Sequence, residues 1–198
     1  MHSLFDFVVS PDGDRYNNSV KVGDKSLILN TEVFNHQYVN REAVVLKSPI
    51  GIRTNIKEGD KLMIHHNVFR RWHNMKGVEK NSRSFINENE YLIGTDQIFL
   101  YKSSSINKWK AMDGYCFVQP IKSIDDFAVD TERPFVGVVK YTDGSFNNGE
   151  LVGFTPGDEY EFIIGGKRLY RVMTKYINII YEHTGDEEEY NPSWADSR

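Results

Sequence analysis

The side chains most able to do chemistry in this sequence are a group of histidines, a single cysteine and several serines. His65 and His66 are adjacent, and His73 follows after a short interval. Adjacent residues of a strand point to opposite faces, so the pair is poorly placed to hold one metal ion, and no carboxylate or thiolate stands at metal-ligand spacing. We therefore interpret these histidines as structural or solvent-facing and expect no metal site.

The cysteine and the serines carry no nucleophile signature. Cys116 stands in an apolar run, which predicts a small, buried strand residue. The serines occupy polar segments without a Gly-x-Ser-x-Gly elbow. The sequence Gly165-Gly166-Lys167 lacks the rest of a phosphate-binding loop and predicts a two-residue hairpin turn. We expect neither a catalytic residue nor a cofactor, so the protein is not expected to be an enzyme.

Composition limits the remaining classes of function. The chain has 198 residues, a formal net charge of −4 and one cysteine. The charge disfavours a general affinity for nucleic acid or membranes, and a single cysteine allows no intramolecular disulfide, as is usual in a reducing compartment. No signal-peptide core and no apolar run of membrane-spanning length occur in the sequence. We therefore expect a cytoplasmic protein.

Two aromatic segments are candidates for binding. Arg70, Arg71 and Trp72 begin a stretch that interleaves basic and aromatic side chains, the combination that contacts single-stranded nucleic acid. A loop that packs its aromatics on the fold and exposes its charges explains the same residues, and we favour that interpretation. Trp194 follows an acidic segment and could anchor on a neighbouring surface. We take these four side chains as candidate secondary contacts.

Hydrophobic alternation predicts β-structure almost throughout the chain. Leu62 and Ile64 alternate with other residues, as do Tyr160, Phe162 and Ile164, and Val, Ile, Tyr and Phe dominate the regular stretches. Turn signals separate these stretches at short intervals, and no helix of normal length is evident. The sequence therefore predicts an all-β fold built from small barrels or sandwiches.

The order of these elements occurs twice. Residues 56–64 and 154–162 each place a Gly-Asp turn before an alternating strand. Each is preceded by a valine-rich run and followed by a closing strand that begins near Thr95 in the first half and near Thr174 in the second. The opening strands of the two halves, near Phe7 and Cys116, match as well. The chain is therefore predicted to contain two copies of one small β unit.

This order of elements resembles the GroES co-chaperonin family, especially its divergent phage-encoded members. The matching parts are an opening strand, a long polar loop with a short aliphatic run, a valine-rich strand, a Lys-x-Gly-Asp turn with its strand, and a closing strand. They extend from Leu4 to Tyr101 in the first half, and from Tyr115 to Tyr181 in the second, which lacks the long loop. The resemblance implies two tandem GroES-like small β-barrels.

The expected domain bounds follow from these two copies. Residues 1–102 would form the first barrel, with a mobile loop over about residues 11–40. A polar linker would occupy residues 103–114, and a second, degenerate barrel residues 115–183. Residues 184–198 would be an acidic C-terminal tail, which we expect to be solvated.

The resemblance also implies a function. In GroES-like proteins a short aliphatic run on the mobile loop docks into a groove of the large chaperonin ring, and Leu27, Ile28 and Leu29 stand at the comparable place. A homo-oligomeric ring of such chains, for instance a heptamer, would cap a GroEL-like chaperonin of the host over an unfolded substrate protein. The family often has glycine before the run, where this chain has Ser26, and the run could instead be an internal strand.

Two other functions fit the same sequence. A structural or adaptor protein of a virus particle could use the same barrels without a chaperonin. A single-stranded nucleic-acid-binding module could use the basic and aromatic stretch that begins at Arg70.

Overall fold

Strands make up nearly all of the regular structure. The computed structural model describes residues 3–17, 19–28, 38–123, 131–157, 159–182 and 187–195. The chain divides into two compact units, unit 1 (Met1–Trp109) and unit 2 (Lys110–Arg198). The only helical elements in the described residues are two single turns of 3₁₀ helix, so the all-β prediction is confirmed. Within the same residues, no helix is long and apolar enough to cross a membrane.

Unit 1 contains one large sheet and two separate hairpins. Its strands are β1 (Phe7–Pro11), β2 (Ser19–Val22), β3 (Lys25–Ile28), β4 (Glu42–Lys47), β5 (Lys61–Ile64), β6 (Arg71–His73), β7 (Glu79–Asn81), β8 (Phe85–Asn87), β9 (Glu90–Ile93), β10 (Ile98–Lys102) and β11 (Trp109–Ala111), which crosses the unit boundary. Seven of them form a sheet in the order β11-β10-β5-β4-β1-β9-β8. The other four form two hairpins, β2 with β3 and β6 with β7.

Unit 2 contains one six-stranded antiparallel sheet. Its strands are β12 (Tyr115–Lys122), β13 (Glu132–Thr142), β14 (Leu151–Phe154), β15 (Tyr160–Ile164), β16 (Lys167–Met173) and β17 (Ile177–Tyr181), in the order β15-β16-β12-β13-β14-β17. Ile164 pairs with Lys167, so the predicted hairpin turn at Gly165-Gly166 is confirmed. Both of these glycines have positive φ, which explains why glycine stands there.

The two sheets share one strand order. In unit 1, β1 lies between β4 and β9, β4 is followed outward by β5 and β10, and β8 lies outside β9. In unit 2 the same places are taken by β12 (for β1), β13 (for β4), β14 (for β5), β15 (for β8), β16 (for β9) and β17 (for β10). The closing strands β10 and β17 each follow a single 3₁₀ turn, over Thr95–Gln97 and Thr174–Tyr176. The two halves of the chain therefore have the same sheet topology.

The structure corrects the alignment of the middle part of the two copies. The sequence pairs the Gly59 turn with the Gly157 turn, but the strand that occupies the place of β5 is β14, not β15. The amide of Gly59 donates to the carbonyl of Val45 at 2.8 Å, and the amide of Gly149 donates to the carbonyl of Val139 at the same distance. Gly149 is therefore the counterpart of Gly59. A Gly-Asp turn is a local signal, and it does not determine which strand its neighbour pairs with.

Each unit buries a core of its own, and the sheets are open. The core of unit 1 includes Phe7, Val9, Val45, Leu62, Ile64, Tyr91, Ile93 and Leu100, and that of unit 2 includes Cys116, Val118, Val139, Val152, Phe154 and Val172. The prediction that Cys116 is a buried strand residue is therefore confirmed. Among the described strands, the pairing ends at β8 and β11 in one sheet and at β15 and β17 in the other, so neither sheet closes into a barrel.

The acidic segment near the C-terminus differs from the expected solvated tail. The amide of Tyr190 donates to the carbonyl of Pro120 at 2.8 Å, and the amide of Lys122 donates to the carbonyl of Glu188 at 2.8 Å. Glu188 forms an ion pair with Lys122, and Ala195 is buried. Residues 187–195 therefore pack on unit 2, because its lysines neutralise carboxylates that the sequence alone leaves without partners. The expected linker differs too, since β11 forms within it.

Candidate functional site

The candidate docking residues lie on an excursion from the large sheet of unit 1. The pairing of β1 with β4 continues beyond the end of β1, since the amide of Asp12 donates to the carbonyl of Glu42, the first residue of β4, at 3.0 Å. Further out, the amide of Asn17 donates to the carbonyl of Tyr38 at 2.7 Å. The chain between Asn17 and Tyr38 therefore leaves the sheet and returns to it at one place. The expected loop covers about residues 11–40, and the residues at its two ends form this paired root.

Asn40 holds the root together. Its side-chain amide donates to the carbonyls of Asp12 at 3.0 Å and Asp14 at 2.9 Å, and its side-chain oxygen accepts from the amide of Glu42 at 2.9 Å. The residue is buried. Because buried polar groups are costly when unpaired, these three hydrogen bonds favour one geometry at the point where the excursion begins and ends.

The excursion carries the β2–β3 hairpin. Val22 pairs with Lys25, so a two-residue turn, Gly23-Asp24, joins the strands. Gly23 has a φ of 62°, a conformation that glycine adopts without strain. The two strands form a sheet of their own and belong to neither large sheet. Lys25–Ile28 is therefore a strand, but it is not an internal strand of the seven-stranded sheet.

Two of the three candidate docking residues are strongly exposed on this hairpin. Leu27 is 57% exposed and Ile28 is 60% exposed. Consecutive strand residues point to opposite faces, so each face of the hairpin presents an aliphatic side chain to solvent. The third candidate, Leu29, lies outside the described residues.

A second hairpin, β6–β7, is rooted beside the first. The backbone amide of Arg71 donates to the Tyr16 hydroxyl at 2.7 Å, and the Arg71 guanidinium lies 5.0 Å from the centre of the Tyr16 ring. Just before these residues in each segment, the Nε of Arg15 donates to the carbonyl of Phe69 at 2.7 Å. These contacts fix the start of the β2–β3 excursion against the start of the β6–β7 hairpin.

Arg15 is the charged group at this common root. Its guanidinium lies 5.3 Å from the centre of the Phe85 ring and 5.4 Å from that of Tyr91, and it forms an ion pair with Glu88 at 3.5 Å. Stacking on two rings is a favourable way to hold a guanidinium at low exposure. Burial raises the pKa of Tyr91, so this phenol stays neutral beside the cation at physiological pH.

The basic and aromatic stretch divides between the core and the surface. Phe69 is buried and meets the Tyr91 ring edge-on at 4.7 Å, as expected for a loop that packs its aromatics. Trp72 instead is 44% exposed and pairs across the hairpin with Lys80. Arg71 is on the other face, where it pairs with Glu79 at 3.2 Å. The interpretation that the loop packs its aromatics is therefore correct for Phe69 and wrong for Trp72.

The tip of this hairpin is a well-defined turn. The side-chain oxygen of Asn74 accepts from the amides of Lys76 at 3.0 Å and Val78 at 2.9 Å, and Gly77 has a φ of 73°. Met75 is fully exposed at the tip. Sequence reasoning missed this hairpin, although asparagine and glycine at these turn positions were an available signal.

The remaining candidate contacts lie elsewhere. Arg70 is half-buried next to Arg71 at the root of β6–β7. Trp194 belongs to unit 2, where the guanidinium of Arg168 lies 5.9 Å from the centre of its ring. Arg168 also pairs with Glu132 and Glu161, each at 2.8 Å. Trp194 is thus adjacent to a charge network of its own unit.

The groups considered for catalysis and metal binding have structural surroundings. The rings of His65 and His66 stack with centres 4.4 Å apart. In the part of the chain that the structure describes, no group of three or more His, Cys, Asp or Glu side chains is placed to hold a metal ion. Burial raises the pKa of the Cys116 thiol to about 12, so this thiol is protonated and a poor nucleophile.

No family model, curated protein or solved structure matches the chain. The candidate site is therefore interpreted from its own geometry. Two hairpins on unit 1 share one root, and both present exposed apolar side chains. Such an arrangement is suited to docking on another macromolecule.

Proposed function

We propose that this protein is a co-chaperonin that caps a chaperonin ring through the β2–β3 hairpin. The observation that carries the proposal is the exposure of Leu27 and Ile28 on a hairpin whose root is fixed to the sheet. A two-stranded hairpin is at best marginally stable in water by itself. Burying one such aliphatic side chain contributes about 1.5 to 3 kcal/mol, so a hydrophobic groove on a partner would stabilise this hairpin on docking.

The shared strand order supports a GroES-like scaffold repeated in tandem. In this proposal each unit derives from one GroES-like small barrel, and only unit 1 carries the long excursion between its first two sheet strands. Each chain thus contributes one docking hairpin. A homo-oligomeric ring, for instance a heptamer, would present several hairpins at once to a GroEL-like chaperonin of the host, above an unfolded substrate protein. The site of action would be the cytoplasm, that of the host cell if the protein is phage-encoded.

Weak single contacts suit this function. Each hairpin that becomes ordered on docking loses conformational entropy, so one contact is weak and readily reversed. Several contacts within one ring raise the effective concentration and make capping strong. Release during each cycle then needs only a small loss of binding free energy at each contact. This mechanism is non-covalent and uses neither a catalytic residue nor a cofactor.

The test is a chaperonin-binding assay on an Ile28→Asp variant. The variant is expected to lose nucleotide-dependent co-migration with a GroEL-like chaperonin while keeping the wild-type melting temperature, since Ile28 is already exposed. Ile106→Asp is the matched control, because Ile106 is also a strongly exposed isoleucine and lies outside the hairpin. It is expected to bind normally.

Two results would overturn the proposal. Early melting of Ile28→Asp would show that Ile28 is a buried core residue in solution. Wild-type protein that does not bind the chaperonin would remove the proposed partner. In either case the function to test next is that of a structural or adaptor protein of a virus particle, which could use the same scaffold without a chaperonin.

A further inference from the structure

The β6–β7 hairpin is an addition to the strand order that the two units share. In unit 1 the connection from β5 to β8 occupies residues 65–84 and contains this hairpin. In unit 2 the corresponding connection, from β14 to β15, occupies only residues 155–159. The shared sheet therefore does not require the hairpin, and additions of this kind on a common scaffold commonly carry binding functions.

One face of the hairpin is anchored and the other faces outward. Arg71 is on the anchored face, against Tyr16 and paired with Glu79. Trp72 and Lys80 are cross-strand partners on the opposite face, and both are exposed. An exposed tryptophan beside a lysine, on a hairpin with a hydrogen-bonded tip, is a preorganised contact surface.

The hairpin is also strongly basic. Residues 70–83 contain five basic side chains and one acidic side chain, a net charge of +4. Unit 1 as a whole has fifteen basic and twelve acidic residues, a net charge of +3. Unit 2 has nine basic and sixteen acidic residues, a net charge of −7, so that the whole chain has −4. Every copy of the chain thus carries both a basic hairpin and an acidic unit.

Part of the acidic excess of unit 2 has no basic partner among the residues that the structure describes. Arg168 neutralises Glu132 and Glu161, and lysines neutralise Glu188 and Glu189. Asp143 and Glu150, in contrast, form no ion pair within the described residues. They accept hydrogen bonds instead, from the backbone of Gly114 at 2.8 Å and from that of Asn147 at 3.0 Å.

The pKa values of Asp143 and Glu150 keep both groups charged. Burial opposes ionisation of Asp143, but hydrogen bonds from the backbone amides of Ser145 and Gly114 outweigh it and hold its pKa below the ordinary value. Hydrogen bonds from Asn147 lower the pKa of Glu150. Both carboxylates are therefore anionic at neutral pH and available to a cation from outside the chain.

We propose that the β6–β7 hairpin docks on unit 2 of a second copy of this chain, with Trp72 as the apolar anchor and Lys76 and Lys80 opposite carboxylates of that copy. The contact is heterologous, because the hairpin of one copy meets a different surface of the next. Repetition of such a contact gives a closed ring if the rotation between copies closes, and a filament if it does not. A polyanion such as single-stranded nucleic acid fits the hairpin alone, but the −7 charge of unit 2 repels it.

Sedimentation at two salt concentrations tests the contact. Wild-type protein is expected to self-associate at about 0.05 M salt and to associate much more weakly at about 0.5 M, because added salt screens the attraction between exposed charges. The double variant Lys76→Glu/Lys80→Glu, and separately Trp72→Ala, are expected to weaken association about tenfold or more. Lys57→Glu/Lys108→Glu is the matched control, since it changes net charge equally at exposed lysines outside the hairpin. It is expected to associate more tightly than the hairpin double variant.

Zero-length carbodiimide cross-linking identifies the occupant. In a mixture of ¹⁴N- and ¹⁵N-labelled chains, Lys76 and Lys80 are expected to link to carboxylates within residues 110–198 of a chain with the other label. A monomer at all concentrations, links only to unit 1, or links only within one chain would overturn the proposal. Self-association that is unchanged in Trp72→Ala and in Lys76→Glu/Lys80→Glu would also overturn the proposal. Hairpin-dependent binding of a single-stranded oligonucleotide in place of self-association would assign the hairpin to nucleic acid.

This contact does not depend on chaperonin docking, and the two are separable. Ile28→Asp is expected to self-associate like the wild type while losing the chaperonin. Trp72→Ala is expected to weaken self-association whether or not a chaperonin partner exists. Loss of chaperonin binding therefore leaves the self-association proposal standing, whereas a protein that stays monomeric would also remove the ring on which strong capping depends.

Discussion

At the scale of single residues, a few buried or half-buried polar side chains determine where the excursions of this protein begin. Asn40 closes the root of β2–β3 with three hydrogen bonds, and Arg15 ties that root to β6–β7 through the carbonyl of Phe69. In unit 2, Glu189 has a similar role for the acidic segment, because it pairs with Lys140 and Lys167. Each of these groups fixes a segment that short-range sequence preference leaves undetermined.

Asn40→Ala tests the root of the β2–β3 hairpin. The substitution removes the donor to the carbonyls of Asp12 and Asp14 and the acceptor for the amide of Glu42, which we expect to cost about 1 to 3 kcal/mol in the free energy of unfolding. Chemical denaturation measures this difference, and Asn67→Ala at an exposed position is the control, with an expected change near zero. Equal stability of the two variants would show that the root is held by other contacts.

The acidic segment is expected to make the stability of the fold depend on pH, in a direction that follows from the pKa of Glu189. Burial opposes ionisation of Glu189, but Lys140 and Lys167 outweigh it and hold its pKa below the ordinary 4.5. A carboxyl with a lowered pKa in the folded state contributes stability that is complete above about pH 4.5 and is lost as the pH falls through its lowered value. The pairs are partly exposed, so the contribution is at most about 1 kcal/mol.

Thermal melting of wild type and Glu189→Gln measures this contribution. At pH 7 the variant is expected to melt slightly earlier than the wild type, and the difference is expected to disappear at a pH well below 4.5. A difference that grows on acidification would contradict the assigned sign.

At the scale of elements, one position of the unit 2 sheet requires glycine because two strand backbones approach each other closely there. Gly137 lies in the middle of β13, opposite Pro120 of β12, next to a shift in the strand register. A Cβ atom on Gly137 would stand 2.5 Å from the carbonyl oxygen of Gln119. Because that oxygen belongs to the backbone, a side chain at residue 137 requires the two strands to separate.

Gly137→Ala is therefore expected to destabilise the protein by about 1 to 3 kcal/mol. The comparison is Gly153→Ala on β14, where the new methyl group would meet side-chain atoms of Tyr181 at 3.2 Å, which can move. Chemical denaturation with hydrogen exchange of β12 and β13 measures the effect. A smaller loss for Gly137→Ala than for Gly153→Ala would show that the strands yield easily.

At the scale of the whole molecule, two units with one strand order differ in what is added to them. Unit 1 carries both the β2–β3 excursion and the β6–β7 hairpin, and unit 2 carries the acidic excess. We infer a division of labour in which the additions to unit 1 bind partners. The shared six strands then serve as a scaffold, and unit 2 indicates how short their connections can be.

Replacement of the β6–β7 hairpin tests this division. The Ser82 hydroxyl donates to the carbonyl of Val68 at 2.5 Å, so the two ends of the hairpin lie close enough for a short connection. A chain in which a short glycine-rich turn replaces residues 71–81 is expected to keep its β-sheet circular dichroism and a cooperative melt, but to lose self-association. Loss of the fold would show that the hairpin is part of the scaffold, contrary to the comparison of the units.

The sequence by itself determined the fold class, the duplication and the burial of Cys116, because alternation, turn residues and the order of strands are local properties that can be read along the chain. Only the tertiary structure decided which strand pairs with which. It matched Gly59 with Gly149 rather than Gly157, since sheet partners are chosen by long-range hydrogen bonds and not by a turn motif. It also exposed Trp72 while burying Phe69, and it placed Glu188 and Glu189 beside lysines distant in sequence. The face that a side chain presents depends on what packs against the strand, and composition does not contain that information.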